Sequence, residues 1–142
     1  MNDITDHLKH HFKKASPVLF TGAGFSCDAV NIAGANLPSA SQLKEMLWKI
    51  CFPSKPLDPS NTLQDLFSMA KKRHEGDLKR LLSQSFTVDA AKLPEWYGTV
   101  FSLPWYRVYT LNIDDLALAV QRRFSLPRVL NSVSATTGKL RA

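Results

Sequence analysis

Residues 17–27 read PVLFTGAGFSC: a proline, a short run of apolar and β-branched residues, then a Gly-Ala-Gly turn that ends near a serine. Val18 to Thr21 has the continuous apolar character of a central parallel strand covered on both faces. Glycine loses more conformational entropy on folding than any other residue, so a pair of them on a strand end answers a steric need. One such need is the close approach of a ligand phosphate to peptide N–H groups with no Cβ in the way. Strand and turn together predict an α/β fold whose ligand crevice lies outside the carboxyl ends of parallel strands.

Working outward, residues 3–14 place Ile4, Leu8 and Phe12 at helical spacing and stop at Ser16-Pro17, which makes a first helix leading into the strand. After the glycine turn, CDAVNIAGANLPSAS is small and polar and reads as loop. Ser39 or Ser41 caps a helix through QLKEMLWKICF, with Leu43, Met46, Leu47 and Ile50 on its apolar face. A connector rich in proline, PSKPLDPSN, precedes two more helices. Leu63, Leu66, Phe67 and Ala70 form the apolar face of the first, and Leu78, Leu81, Leu82 and Phe86 that of the second. A further helix over Leu93 to Leu103 stops at Pro104. YRVYTLN then alternates as a second strand, IDDLALAVQRRF turns Leu116, Ala119 and Val120 inward on a helix, and RVLN (128–131) is expected as a third strand. The order is that of a Rossmann-like, doubly wound parallel sheet with a helical insertion between its first and second strands. Residues 17–40 form the turn region, 41–104 the helical segment, and 105–131 a strand, turn, helix and strand.

Composition limits the function classes. The 142 residues, 44% hydrophobic and 21% charged, suit one globular domain able to bury a core. A net charge of +6 is moderate and no nucleic-acid motif accompanies it, so nucleic acid is expected only indirectly, if at all. The scattered Trp48, Trp96, Trp105, Tyr97, Tyr106 and Tyr109 are read as core or interface anchors, not as a stacking platform for bases. Cys27 and Cys51 make neither a disulfide framework nor a CxxC pair, which fits a reducing, cytoplasmic setting. No apolar run approaches the roughly 20 residues that span a bilayer, so no membrane partner is expected.

The second strand ends in TLNIDD, residues 110–115, about 90 positions after TGAGFS. The pair resembles the sirtuin family, in particular its bacterial NAD-hydrolysing branch of antiphage defence effectors. That resemblance implies that a GAG-x-S loop holds NAD and a T-x-N-x-D segment forms the nicotinamide and ribose pocket. It assigns Gly22, Ala23, Gly24 and Ser26 to the phosphates and adjoining ribose, Asn112 to the nicotinamide ribose and attacking water, and Asp114 to the carboxamide. Pro38 stands where the family's flexible loop carries a proline. The implied activity is hydrolysis of NAD to nicotinamide and ADP-ribose, with NAD as substrate, in an abortive-infection effector that works as a homo-oligomer or beside further domains or subunits. Two other readings stand beside it: a non-catalytic sensor of NAD or ADP-ribose, and a sirtuin-type deacylase or ADP-ribosyltransferase.

Two features depart from the family pattern. The deacylating members carry a zinc module held by two CxxC pairs, which Cys27 and Cys51 do not supply, so no zinc is expected. The family's catalytic histidine follows T-x-N-x-D, whereas His7, His10, His11 and His74 all precede it and read as surface residues. The last stretch, VLNSVSATTGKLRA, reads as a strand end running into a polar loop. The chain is therefore expected to continue beyond residue 142 and to find its base there, with residues 1–142 alone inactive. Residue chemistry supports a bland reading of NIDD as well: Asn112 as the N-cap of the following helix, and Asp115 as an acidic residue favouring its positive end.

Overall fold

The computed structural model describes residues 6, 7, 10–12 and 14–131. Residues 6, 7, 10–12 and 14 are helical and belong to the expected first helix; its other positions, and the tail 132–142, lie outside the described residues. Strand β1 (Val18–Thr21) pairs in parallel with β2 (Arg107–Thr110), Val18 opposite Arg107 and Thr21 opposite Thr110. Between them come a 3-10 turn at Ala23–Ser26 and the helices α1 (Ala40–Cys51), α2 (Leu63–Arg73) and α3 (Glu75–Phe86). A second 3-10 turn at Ala90–Lys92 and α4 (Glu95–Ser102) complete the insertion, and α5 (Leu116–Arg123) follows β2.

Helices α1 and α2 start where the sequence provides capping boxes. Ser39 and Gln42 bond reciprocally at one, and Thr62 and Asp65 at the other, so two otherwise orphaned N–H groups are satisfied at each start. The buried faces follow. Leu66 and Ala70 on α2, Leu78 on α3, and Leu43, Leu47 and Trp48 on α1 make one core cluster, edged by Leu63, Phe67, Leu81, Leu82 and Phe86. On α1 the buried stripe differs from the expected one. Trp48 takes the place read for Met46 and Ile50, because its indole N–H reaches the Lys55 carbonyl at 2.9 Å and anchors the connector. The charged residues Lys71, Lys72 and Arg73 lie exposed on the outer side of α2.

The second cluster gathers Ala29, Val88, Leu93, Tyr97, Phe101, Leu116, Ala119 and Val120, with Val108 and Phe25 packed against it. It lies beneath one face of the strand pair, and Leu116, Ala119 and Val120 point inward as their spacing predicts. The segment around residues 85–89 joins the two halves. Its Val88 bridges Asn31, its Thr87 carbonyl accepts the Ile32 N–H at 2.9 Å, and the buried Asn31 side chain donates to the Ser85 carbonyl.

The described residues form a mixed α/β structure with a two-stranded parallel sheet, as expected at that level, and two strands are too few to show a doubly wound one. Two expectations need correction. Residues 128–131 form no strand: the Leu130 N–H donates to the Gln121 side chain at 3.2 Å instead of joining a ladder, and Val129 is exposed. Nor is β1 covered on both faces. Phe20 is 73% exposed and stacks on Tyr109 of β2 at 5.0 Å, so the apolar run that looked doubly buried has one open side. Among the described residues no helix is long and apolar enough to cross a membrane.

Candidate functional site

Because β1 and β2 are adjacent and parallel in register, both turns leave the sheet at the same end, side by side. The Leu111 N–H donates to the Thr21 carbonyl, extending the pairing by one step as the chains diverge. In the second turn the Thr110 hydroxyl accepts the Asn112 N–H at 3.0 Å, which curls the backbone back. The alternation Thr-Leu-Asn-Ile-Asp then sorts itself by side. Leu111 and Ile113 point to solvent, while Asn112 and Asp114 turn toward the glycine turn.

A closed polar network joins the two turns. Asn112 donates through Nδ2 to the Gly22 carbonyl at 3.0 Å and to Ser26 Oγ at 2.8 Å, and Ser26 Oγ donates to Asp114 Oδ2 at 2.8 Å. The other carboxylate oxygen of Asp114 accepts the Leu116 N–H at 3.1 Å. Ser26 is 2% exposed, and its hydroxyl is occupied as acceptor and donor, so it works as the link between the turns. With both amide hydrogens of Asn112 engaged, its Oδ1 is an acceptor without a partner among the described residues.

The glycine turn lies above this network. Gly22 and Gly24 are exposed, their backbone is not left-handed, and a Cβ built on either meets nothing within 4 Å. The fold itself therefore gives no reason for glycine at either place; what their smallness leaves is open space over the turn. A turn that bonds i to i+3, as the Phe25 N–H to Gly22 carbonyl bond does at 2.9 Å, has no internal acceptor for the Ala23 and Gly24 N–H groups. N–H donors without an internal acceptor suit an anion. Asp114, a few residues away across the network, suits a neutral donor such as an amide or hydroxyl.

All six expected site residues, Gly22, Ala23, Gly24, Ser26, Asn112 and Asp114, lie in these two turns. The capping reading of Asn112 is overturned, since α5 begins at Leu116 and the first free N–H is met by Asp114. Asp115 does not cap either. Its Oδ1 accepts the Val88 N–H at 2.7 Å, its own N–H donates to the Phe86 carbonyl, and its second oxygen pairs with Arg122. It therefore ties the turn to the end of the helical insertion. Pro38 is half-buried just before the Ser39 cap of α1.

One contributor to the site carries no signal in the sequence. Tyr97 of α4 is fully buried, and its hydroxyl donates to the Phe25 carbonyl at 2.7 Å from beneath the turn. A tyrosine in an eight-residue apolar helix looks like any other core aromatic. The histidines stay apart from both turns in their contacts: His7, His10 and His11 group on the first helix, and His74 sits at the junction of α2 and α3. Among the described residues no three His, Cys, Asp or Glu side chains gather as a metal site. Set against family models, curated proteins and solved structures, the chain matches none of them.

Proposed function

We propose that this chain is the NAD-binding part of a sirtuin-like domain that hydrolyses NAD to nicotinamide and ADP-ribose. The observation that carries the reading is the network Gly22–Asn112–Ser26–Asp114, which locks a GAG-x-S turn to a T-x-N-x-D turn across adjacent parallel strands. Either turn alone is a common object. Their direct hydrogen bonding is what an NAD site built from both requires.

The division of labour follows from charge. Ala23 and Gly24 N–H groups, with open space over Gly22 and Gly24, receive the pyrophosphate. Asn112 Oδ1 accepts from a ribose hydroxyl or an attacking water, and Asp114 accepts from the carboxamide NH2. Nicotinamide leaves NAD as a neutral base once the glycosidic bond breaks, so leaving-group protonation is not needed. The residues instead orient one water and stabilise positive charge growing on the ribose. We place the protein in the cytoplasm, as an oligomeric effector of an antiphage defence system.

Calorimetry of NAD and ADP-ribose binding tests the site. Saturable binding that is lost in a folded Gly24→Val variant supports it, because the valine fills the space left for phosphate; unchanged binding in that variant refutes the assignment. Nicotinamide release from the protein as the cell makes it tests the hydrolysis, and its absence there would overturn it.

A further inference from the structure

The glycine turn is short and intrinsically soft. Two of its five residues from Gly22 to Ser26 are glycine, Gly22 at its start makes no side-chain cap, and its internal bonds lengthen from 2.9 Å at Phe25 to 3.5 Å at Cys27. Something else must hold it still if donors and Ser26 are to keep one geometry. From the solvent side Asn112 holds the Gly22 carbonyl. From the core side the holding group is Tyr97.

We propose that Tyr97 is the positioning residue of the site: by fixing the Phe25 carbonyl it fixes the Phe25–Ser26 peptide, and through it the height at which Ser26 meets Asn112 and Asp114. The tyrosine is itself immobilised. Its ring stacks on Trp96 at 3.8 Å, meets the Phe25 ring edge-on at 5.6 Å, and belongs to the cluster that contains Leu116 and Val120 of α5. One side chain thus shares a core with the helix that follows the second turn and bonds to the backbone of the first. Phe25 is held twice, by carbonyl and by ring, the ring lying edge-on to Trp96 and Phe101 as well. A tyrosine present only to fill the core needs its hydroxyl satisfied by any acceptor. Here the acceptor is the one peptide next to Ser26.

That the positioned turn serves NAD rests on the function proposed above, so the test has two arms. Tyr97→Phe keeps the ring and removes the hydroxyl. Amide hydrogen exchange of the whole chain, without ligand, should speed up by about tenfold over residues 22–27 relative to α2, on the scale of one lost hydrogen bond. A Val120→Ala control, in the same cluster but without a bond to the turn, should leave that ratio at its wild-type value. Equal ratios in Tyr97→Phe and Val120→Ala would overturn the proposal. The second arm measures NAD binding, expected to weaken about tenfold in Tyr97→Phe and much less in Val120→Ala. A wild-type chain that binds no NAD while the exchange ratio still moves defeats the NAD reading and leaves the positioning role standing. Should Tyr97→Phe fail to fold, 3,5-difluorotyrosine at 97 keeps the ring and alters the donor strength; the turn-to-α2 ratio must then leave its wild-type value, and a ratio that stays put overturns the proposal.

Discussion

The helical half and the strand half of this chain obey different rules. In α1 to α3 most local signals agree with the outcome: capping boxes at Ser39 and Thr62, apolar stripes that meet in one cluster with Trp48 in place of Met46 and Ile50, and exposed pairs such as Glu75–Lys79 on the outer face. Around β1 and β2 the rules are broken repeatedly. Phe20 and Leu111 are exposed, Thr21, Ser26 and Asn31 are buried, and two glycines stand where the backbone does not need them. Sequences depart from local consistency where another requirement overrides it, and such departures mark functional surfaces. On the function proposed above, the contrast gives scaffolding to one half and recognition to the other.

The comparison can be broken most forcefully in its quiet half. Leu66 is fully buried between α1, α2 and α3, so Leu66→Ala should cost about 2–5 kcal/mol in denaturant unfolding. If that half is scaffold only, nucleotide affinity per folded molecule stays unchanged; a loss of affinity in the folded variant would blur the division. Next in size, Asn112→Ala should lower NAD turnover by about 10²-fold, the scale for losing one preorganised transition-state contact. Its stability should fall by only about 1–2 kcal/mol, since two hydrogen bonds at a half-exposed site go with it. Thermal melts and nicotinamide release on one preparation separate the two effects, and near-normal turnover would remove Asn112 from the chemistry.

A third substitution probes how tightly the strand half is packed. A Cβ on Gly98 of α4 falls 2.8 Å from two carbons of the Phe124 ring, so Gly98→Ala should destabilise by about 1–3 kcal/mol despite the better helix propensity of alanine. An unchanged or raised melting temperature would mean that the ring yields freely. Smaller still, Thr62→Ala removes the α2 cap and should cost about 1 kcal/mol without touching nucleotide binding.

The Tyr97 phenol offers an alkaline-pH probe of the strand half. Burial, and after it the negative charge of Asp28, push the Tyr97 phenol from its ordinary 10.0 up to about 12. A raised folded-state value favours the neutral phenol, so this stabilisation is fully present below the unfolded value and is lost as pH rises through the folded one. Denaturant midpoints of the wild type should therefore fall between pH 10.0 and about 12 more than those of Tyr97→Phe. Parallel curves would contradict the shift.

How much of this was legible beforehand divides along the same line. The helical faces of α2, α3 and α5 were readable because spacing alone decides them. That the two turns carrying the six candidate residues lie side by side was readable, because two short motifs at two strand ends must converge once those strands pair. What escaped depended on partners far away in the chain. The single open face of β1 follows from which helices reach it, Asp115 found Val88 instead of a cap, and Tyr97 took its role from an acceptor outside its own helix. RVLN had strand character but a glutamine side chain took the N–H that a ladder needs.

The bond between Ser26 and Asp114 closes 88 positions of chain. Contacts in the helical half join neighbours in sequence, and such contacts form early because little loop entropy opposes them. Strand pairing and the network above it must wait until the whole intervening segment has been gathered. Loop entropy therefore favours an order in which α1 to α3 condense first and the two turns meet last. A nascent chain stalled before residue 110 holds the apolar stripes of the helical half and a glycine turn with nothing yet to clasp.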